Sequence, residues 1–362
     1  MAERNVLFVV DKSGFGGIQT IAYTLMNHSI SNVSMTYFFL RNLDARFGMR
    51  EVEHSNVLYS RSRSRYSLSS FLELVGIIRD RNIEILHLNG NKSIIFGVVA
   101  KLLYPGLRII AHEHGGIFDY SKGYCLFVKL FGRRADLFVS LSEYRKRFLM
   151  CRCGVPAGKI RVMYNFVDTA RVRRGLAEGA GDPSGKNEFV IGYLGGLSRI
   201  KGCDVLLRAV PILKERLGGF KVIVAGEGPA RQELEVLASS LGLDDCVSFL
   251  GYVNEPARVY AGFDLMVIPS RSEAGPMCLY EAWTMGLPVI ASNAPVLDEI
   301  IADRETGLLF ASENPRDLAE QIISLHEDVG LRERIAAAGS REVADRSVDK
   351  YLARLTELYA AL

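Results

Sequence analysis

The sequence predicts an α/β protein made of two doubly wound parallel-sheet domains. Short apolar runs alternate with longer amphipathic runs along nearly the whole chain, which is the pattern of strands and helices in such sheets. A chain of 362 residues is too long for one compact hydrophobic core, which indicates two domains. A polar, glycine-rich stretch separates two series of these runs and marks the boundary.

The first series predicts a domain over residues 1–170. It opens with the strand NVLFVV, the loop DKSGFGG and the helical stretch IQTIAYTLMNHSI. Because the opening apolar run is short and lacks a small-residue cleavage site, it predicts a buried strand and not a signal peptide. A helix is expected over SLSSFLELVGIIRDR, and the further predicted strands are VSMTYFFL, IEILHLN, LRIIAHE, ADLFVSLS and KIRVMYN.

The stretch DTARVRRGLAEGAGDPSGKN shows no buried face and predicts an inter-domain linker over residues 171–187. A second domain is expected over residues 188–346, with helices over CDVLLRAVPILKERL and ARQELEVLASSLG. Its predicted strands are EFVIGYLGG, KVIVAGEG, CVSFLGY, DLMVIPS, PVIAS and GLLF. Residues 347–362 are expected to form a C-terminal helix that packs back toward the first domain. Two such sheets predict a ligand site in a central cleft, beyond the carboxyl ends of their strands.

Composition indicates an ordinary globular protein of the cytoplasm. Apolar residues make up 49% and charged residues 23%, which argues against disorder. The most apolar later stretch is interrupted by Lys101, Pro105 and Arg108, so it does not predict a membrane span. The six cysteines lack the paired spacing of a zinc site and are interpreted as reduced thiols.

Charge is unevenly distributed between the two halves. Residues 1–170 hold 23 Lys and Arg against 13 Asp and Glu, a net charge of +10, whereas residues 171–362 hold 21 against 28, a net charge of −7. The basic half predicts an anionic partner, such as a phosphorylated acceptor or a membrane surface. The stretch YCLFVKLFGRR, which mixes apolar and basic residues, is typical of interfacial helices and favours peripheral membrane association. Nucleic acid is not an expected partner.

The strongest chemical signal is RSEAGPMCLYEAWTMGLPVIAS, which follows the predicted strand DLMVIPS. It holds two carboxylates, Glu273 and Glu281, with seven residues between them. Pro276 suits the first position of a helix because its missing N–H would be unpaired there anyway. The helix is expected to end at Gly286, which is followed by Pro288.

A helix that begins here predicts a diphosphate site. Its free N–H groups and positive dipole end favour an anion. Glu273 precedes the helix and is expected to accept the hydroxyls of a sugar, while Glu281, more than one turn into the helix, is expected to hold a ribose. The segment expected to bind the donor comprises Gly275, Pro276, Met277, Cys278 and Leu279.

This stretch resembles the E-x7-E motif of the retaining GT-B glycosyltransferases (glycosyltransferase family 4-like, glycosyl transferases group 1). The resemblance extends over nearly the whole chain and implies two Rossmann-like domains, a nucleotide-sugar donor and retention of anomeric configuration. LGGLSRIKGCDVLLRA resembles the segment whose basic residues hold the diphosphate, so Lys201 is expected to stabilise the departing phosphate. Gly196 stands where the family usually has Arg, and Arg199 is the candidate replacement for that charge. VAGEGPARQEL resembles the turn whose glycines, here Gly226 and Gly228, approach the nucleotide.

The resemblance also covers the first domain. DKSGFGGIQTIAYTL resembles the opening loop of the family, in which Gly16 and Gly17 would let the backbone approach the donor phosphate and the acceptor. In IIAHEHGG, His114 matches the histidine that faces the donor sugar, and His112 is interpreted as structural. His87, at the end of another predicted strand, is a candidate for the acceptor side.

The sequence contains no Asp-x-Asp pair of the kind that holds a divalent ion in many glycosyltransferases. We therefore expect a metal-independent reaction without a cofactor, in which Lys201 and the helix N-terminus meet the leaving-group charge. The expected acceptor is a saccharide or a lipid-linked molecule of surface polysaccharide or glycoconjugate biosynthesis. Two alternatives remain open, a nucleotide-sugar epimerase of the same fold and an inactive sugar-nucleotide-binding subunit.

Overall fold

The computed structural model describes residues 3–14, 16–42, 56–64, 67–115, 122–177 and 188–362. The chain divides into two compact units. The first comprises Met1–Asn165 together with Val348–Leu362, and the second comprises Phe166–Ser347. Each unit has its own parallel sheet and its own hydrophobic core.

In the first unit, parallel strands alternate with helices. The described strands are β1 (Arg4–Val10), β2 (Val33–Phe39), β3 (Val57–Tyr59), β4 (Ile85–Asn89), β5 (Arg108–Glu113), β6 (Leu137–Ser140) and β7 (Ile160–Val162). The described helices are α1 (Gly17–Met26), α2 (Leu68–Asp80), α3 (Asn91–Leu103), α4 (Lys122–Phe131) and α5 (Glu143–Cys151).

The strand order of this sheet is β3-β2-β1-β4-β5-β6-β7, and all of its paired strands are parallel. The central strands are continuous apolar runs because helices cover both faces of a parallel sheet; Val6 to Val10, for example, are all buried. The strand order reverses between β1 and β4. In such sheets ligands bind beyond the carboxyl ends of the strands at this reversal.

The second unit repeats the plan with six described strands. They are β8 (Phe189–Leu194), β9 (Phe220–Ala225), β10 (Val247–Gly251), β11 (Leu265–Ile268), β12 (Val289–Ser292) and β13 (Leu308–Phe310). The described helices are α6 (Thr169–Ala177), α7 (Cys203–Arg216), α8 (Arg231–Ser240), α9 (Pro256–Tyr260), α10 (Met277–Thr284), α11 (Pro295–Ile300), α12 (Pro315–Glu327) and α13 (Val329–Glu342). The strand order is β10-β9-β8-β11-β12-β13, so the reversal falls between β8 and β11.

The last helix, α14 (Val348–Ala360), belongs to the first compact unit although it follows the whole of the second in the chain. The phenol of its fully buried Tyr359 lies 2.8 Å from Nδ1 of His87 on β4. Residues 348–362 thus complete the packing of the first unit. Among the helices that the structure describes, none is both long and apolar enough to span a membrane.

The predicted α/β fold is confirmed, with a strand at each of the predicted runs. Two details differ. The short strand β3 was not predicted from the sequence. Part of the linker expected over residues 171–187 is helical, because α6 packs against α9 and α10 with Val172 against the core. Residues 178–187 of that linker lie outside the described residues, and the boundary between the units in the chain falls at 165/166 instead of 170/171.

Candidate active site

Two loops meet where the second sheet reverses its strand order, one after β8 and one after β11. Gly202 ends the first loop with a φ of 67°, and a Cβ built there would lie 1.9 Å from the carbonyl oxygen of Pro269. The N–H of Arg271 donates to the carbonyl of Ile200 at 2.8 Å. Only glycine permits both this backbone conformation and this approach, so Gly202 holds the two loops together.

Lys201 and Glu273 face each other across these loops. The Lys201 ammonium donates to both carboxylate oxygens of Glu273, at 2.7 and 2.9 Å, and the Ser270 hydroxyl donates to Oε1 at 2.7 Å. The Ser270 carbonyl in turn accepts the Ser292 hydroxyl at 2.5 Å. These bonds fix the orientation of the carboxylate, whose side chain is only 6% exposed, while the lysine side chain is 33% exposed.

Lys201 is protonated at neutral pH. Burial acts to lower the pKa of Lys201, but its interactions with Glu273 and Cys278 together outweigh burial, so the lysine pKa is raised. Lys201 and Glu273 also line a small pocket at the ends of β8 and β11, together with Tyr193, Gly195 and Cys278 among others. The structure thus brings together two residues that the sequence predicted for one site, and their roles toward a donor remain a prediction.

Helix α10 begins at Met277, one residue later than predicted. Pro276 is its cap residue, with φ −72° and ψ 103°, and not its first helical residue. A proline cap offers no side-chain oxygen to the first turn, and that turn holds no acidic residue. Within the described chain, the start of this helix therefore keeps the positive end of its dipole uncompensated by its own side chains.

The far side of α10 is anchored by Trp283, which is fully buried. Its indole N–H donates to the Thr306 carbonyl at 3.1 Å, and its own carbonyl accepts the Ser340 hydroxyl at 2.9 Å. A Cβ at Gly339 would lie 2.4 Å from the indole ring, so glycine lets α13 approach. Burying an indole contributes several kcal/mol, about 3–5 kcal/mol by comparison with alanine, which holds the helix in place.

Glu281, the second motif carboxylate, lies on α10 and accepts a hydrogen bond from the phenol of Tyr260 at 2.9 Å. Burial raises the pKa of Glu281, and the Tyr260 bond opposes that shift. Tyr260 itself is fully buried on α9. The sequence motif carries no signal for this partner, because α9 precedes the motif by a whole strand.

Arg271 is a second residue that sequence reasoning missed. Its guanidinium binds Asp204 with two hydrogen bonds of 2.8 Å, Glu313 at 2.6 Å and the Arg199 carbonyl at 2.5 Å. The bonds to Asp204 are the main reason why the pKa of Arg271 is raised. Arg271 therefore fixes the turn Arg199–Lys201, on which the Arg199 side chain is exposed.

Gly226 and Gly228 brace the loop after β8. A Cβ at Gly226 would lie 1.9 Å from the Gly195 carbonyl oxygen, and one at Gly228 would lie 2.1 Å from that of Leu197. Loop packing thus accounts for both glycines, and their expected approach to a nucleotide remains a prediction. Gly196 is different, because a Cβ there would meet its nearest neighbour, the Glu227 carbonyl, at 3.9 Å.

In the first unit, the expected glycine pair opens α1. Gly16 is the cap residue with a φ of 144°, a conformation that favours glycine, and Gly17 is the first helical residue. The first turn of α1 holds no acidic side chain within the described chain. Phe15, which precedes the pair, lies outside the described residues.

His114 lies just after β5 and is half-buried. Its Nε2 is 2.8 Å from Oδ1 of Asn89, a partner that the sequence did not indicate. Burial lowers the pKa of His114 to about 3, so the ring is neutral near pH 7.

The expectation for His87 is corrected. His87 is fully buried, with Nδ1 at 2.8 Å from the Tyr359 phenol and Nε2 at 2.9 Å from Nδ1 of His112. Both ring nitrogens are used inside the first unit, so His87 has a packing role and does not face an acceptor. His112 is also fully buried, as its structural interpretation requires.

Two family models match the chain, one for each half. Residues 15–171 match the family described as Glycosyltransferase Family 4, and residues 180–342 match Glycosyl transferases group 1. The chain belongs to this glycosyltransferase family. Its two units form the GT-B fold, and the predicted family is confirmed, whereas the role of the E-x7-E motif remains a prediction.

Solved structures of this fold superpose on nearly the whole chain. HepE (Alr3699) of Anabaena, crystallised with UDP and glucose, matches with a TM-score of 0.82 at 21% identity, over 99% of this chain and 100% of that one. Sucrose-phosphate synthase of Thermosynechococcus elongatus matches with a TM-score of 0.81 at 18% identity, over 99% of each chain. At these identities the likeness concerns the fold.

Among curated relatives, a D-inositol 3-phosphate glycosyltransferase of Thermomonospora curvata is 30% identical over 244 residues. That region is 62% of this chain and 57% of the relative. The chain therefore spans little more than half the length of this relative.

Proposed function

We propose that the protein is a glycosyltransferase that moves a sugar from a nucleotide diphosphate to a saccharide or lipid-linked acceptor. The observation that carries the proposal is the Lys201–Glu273 pair beside the start of α10. It combines a fixed carboxylate, a cation and a helix N-terminus in one place. A glycosyl phosphate has a hydroxylated ring next to an anionic leaving group, which is the chemistry these three groups fit.

Each group is assigned one task. The N–H groups at the start of α10 and the Lys201 ammonium bind the diphosphate and stabilise the charge that grows on it as the glycosidic bond breaks. Glu273 accepts hydroxyls of the transferred sugar, and Glu281 accepts hydroxyls of the ribose. By the family resemblance, His114 is assigned a hydrogen bond to the sugar.

We further propose that the reaction retains anomeric configuration and needs no metal ion. Retention follows from the family resemblance of the motif. Metal independence is supported by the positive groups already present, since Lys201 stays protonated through its pairing with Glu273. HepE structures hold UDP and UDP-glucose, so a uridine diphosphate sugar is the first donor to test.

A membrane surface is the proposed setting for a lipid-linked acceptor. Helices α2, α3 and α4 of the first unit expose large apolar side chains, namely Leu68, Leu72, Val99, Leu102, Leu103, Leu126 and Leu130, each at least 42% exposed. Phe71 and Phe96 join α2 to α3 with their ring centroids 5.4 Å apart, and α3 contacts the turn that carries the exposed Arg133 and Arg134. Apolar side chains bordered by bases favour an anionic lipid surface.

The donor chemistry is tested by release of nucleoside diphosphate from uridine, guanosine and adenosine diphosphate sugars with candidate acceptors. Lys201→Met and Glu273→Gln are expected to lower kcat at least a hundredfold. Lys221→Met, which removes the surface pair with Glu188, is the matched control and should leave kcat unchanged. Near-wild-type turnover in both site variants would contradict the assigned roles, and conversion of the donor without an acceptor would favour the epimerase.

The membrane proposal is tested by flotation with vesicles that contain anionic or only zwitterionic lipids. Binding to the anionic vesicles is expected, and Arg133→Gln with Arg134→Gln should reduce it severalfold. Replacing Arg332 and Arg334 on α13 by Gln is the control. If the unmodified protein fails to bind anionic vesicles, this part of the proposal is wrong while the transfer reaction is unaffected.

A further inference from the structure

The amide of Asn89 is held in one orientation. Its Nδ2 lies 3.3 Å from the carbonyl oxygen of Val9 and 3.2 Å from that of His87. Because carbonyl oxygens only accept hydrogen bonds, the amide nitrogen must face them and Oδ1 must face the other way. That oxygen lies 2.8 Å from Nε2 of His114.

This arrangement decides where the proton of His114 resides. An amide oxygen can only accept, so Nε2 of His114 must donate and therefore carries the hydrogen. Burial keeps the ring neutral, with a pKa lowered to about 3. A neutral imidazole has a single N–H, so Nδ1 of His114 is left as an acceptor.

The plane of the ring is also held. His112 packs against His114 with ring centroids 4.0 Å apart and an angle of 31° between the rings. His112 is bonded to His87 at 2.9 Å, and His87 is bonded to the Tyr359 phenol at 2.8 Å. The rings that support His114 are thus tied through buried hydrogen bonds to α14.

We propose that Asn89 is a positioning residue that fixes His114 with its proton on Nε2, so that Nδ1 accepts a hydrogen bond from a hydroxyl of the transferred sugar. The assignment of that sugar to His114 rests on the proposed function. The consequence concerns specificity. A site with a fixed acceptor selects a group that donates, so a sugar hydroxyl binds and a substituent that only accepts does not.

Nuclear magnetic resonance of the ring nitrogens tests the protonation state in the ligand-free protein, independently of any activity. The signal is assigned with His114→Gln, and a bare Nδ1 with a protonated Nε2 is expected at pH 7. Asn89→Leu, which removes the oxygen acceptor, should give a mixture of the Nε2-protonated and the Nδ1-protonated ring. Asn91→Leu, two residues further on, is the control. A proton on Nδ1 in the unmodified protein would overturn the proposal.

Kinetics with donor analogues test the consequence for substrate. Donors in which one sugar hydroxyl at a time is replaced by hydrogen or by fluorine are compared with the parent sugar. At the position whose hydroxyl donates to Nδ1 of His114, both replacements are expected to lower kcat/KM about tenfold. Hydrogen offers no hydrogen bond there, and fluorine accepts but does not donate one. In Asn89→Leu and His114→Ala this discrimination should disappear.

The two proposals fail in different ways. If the parent donor is turned over and no position shows equal losses for hydrogen and fluorine, the inference about His114 is wrong and the transfer reaction stands. If no sugar nucleotide is turned over, the proposed function is wrong, and the nitrogen spectra still decide whether Asn89 sets the protonation state.

Discussion

The phenol of Tyr260 donates to Glu281 at 2.9 Å, and this bond links the end of α9 to the second carboxylate of the motif. Tyr260→Phe removes the donor and keeps the ring. We expect KM for the donor to rise about five- to tenfold with little change in kcat, because a ground-state contact of the ribose is weakened. A fall in kcat with unchanged KM would contradict this role. Tyr252→Phe, on an exposed tyrosine of the same unit, is the control.

The same pair predicts a pH dependence. Burial raises the pKa of Glu281 above its usual value of 4.5, so the folded protein binds a proton more tightly there than the unfolded chain does. The stability contributed by this proton is present below that value and is lost as pH rises through the higher folded pKa. In Tyr260→Phe the pH range over which this proton stabilises the fold should extend to higher pH. The reason is that the hydrogen bond that opposed the rise in the Glu281 pKa is gone. Denaturant unfolding at a series of pH values measures the free energy of unfolding in both proteins.

Arg271→Lys is expected to lower kcat/KM about tenfold. Lysine keeps the charge but cannot make two parallel bonds to Asp204 while also reaching the Arg199 carbonyl, so the turn that carries Lys201 loses its support. Arg258→Lys, in an exposed ion pair with Glu255, is the matched control. Unchanged kinetics in Arg271→Lys would show that the turn holds its position by backbone bonds alone.

Gly202→Ala should destabilise the protein far more than Gly242→Ala. Both glycines have a φ of 67°, so both variants carry the same backbone strain of about 1–2 kcal/mol. At Gly202 the added carbon would also lie 1.9 Å from the Pro269 carbonyl oxygen, whereas at Gly242 it meets nothing within 4 Å. The difference in unfolding free energy therefore isolates the close approach of the two loops. Equal losses of unfolding free energy in the two variants would contradict this close approach.

Gly196→Arg is expected to tighten binding of a nucleoside diphosphate severalfold at low salt. The site has room for a Cβ, and a guanidinium would add positive charge to the loop after β8. If Arg199 supplies the missing charge, Arg199→Ala should weaken binding in the natural protein and matter less in the Gly196→Arg background. Calorimetric titration of the four variants measures this coupling. If the effects of the two substitutions on the binding free energy are additive, Arg199 does not supply the charge that is missing at Gly196.

Acid should destabilise the first unit through His87, His112 and His114. Burial lowers the pKa of His87 and His114 to about 3, and that of His112 falls as well. The unfolded chain binds protons near its usual histidine pKa of 6.5 while the folded chain does not, so stability is lost as pH falls below that value. His114→Gln should reduce the number of protons taken up on unfolding by about one, so the free energy of unfolding should fall less steeply as pH is lowered. His28→Gln is the control, on a histidine that follows α1 and bonds to the Thr24 carbonyl.

The sequence predicted the elements whose signal is local, and it missed partners that the fold brings together. Apolar runs predicted the strands, and the spacing of Glu273 and Glu281 predicted the α10 region. Tyr260 and Asn89 carry no local signal, because each acts only through a residue on another element. Helix α6 was missed for a related reason. Its sequence is rich in arginine, and no buried face was predicted from it, although Val172 packs against the core.

The hydrogen bond between His87 and Tyr359 joins residues 272 positions apart. During synthesis the second unit, a continuous segment, is finished before the ribosome has made the helix that completes the first. The packing of the first unit is therefore complete only after residues 348–362 have been made, and long-range closure of this kind is slow. Completion of the first unit thus depends on residues that are translated after the whole of the second unit.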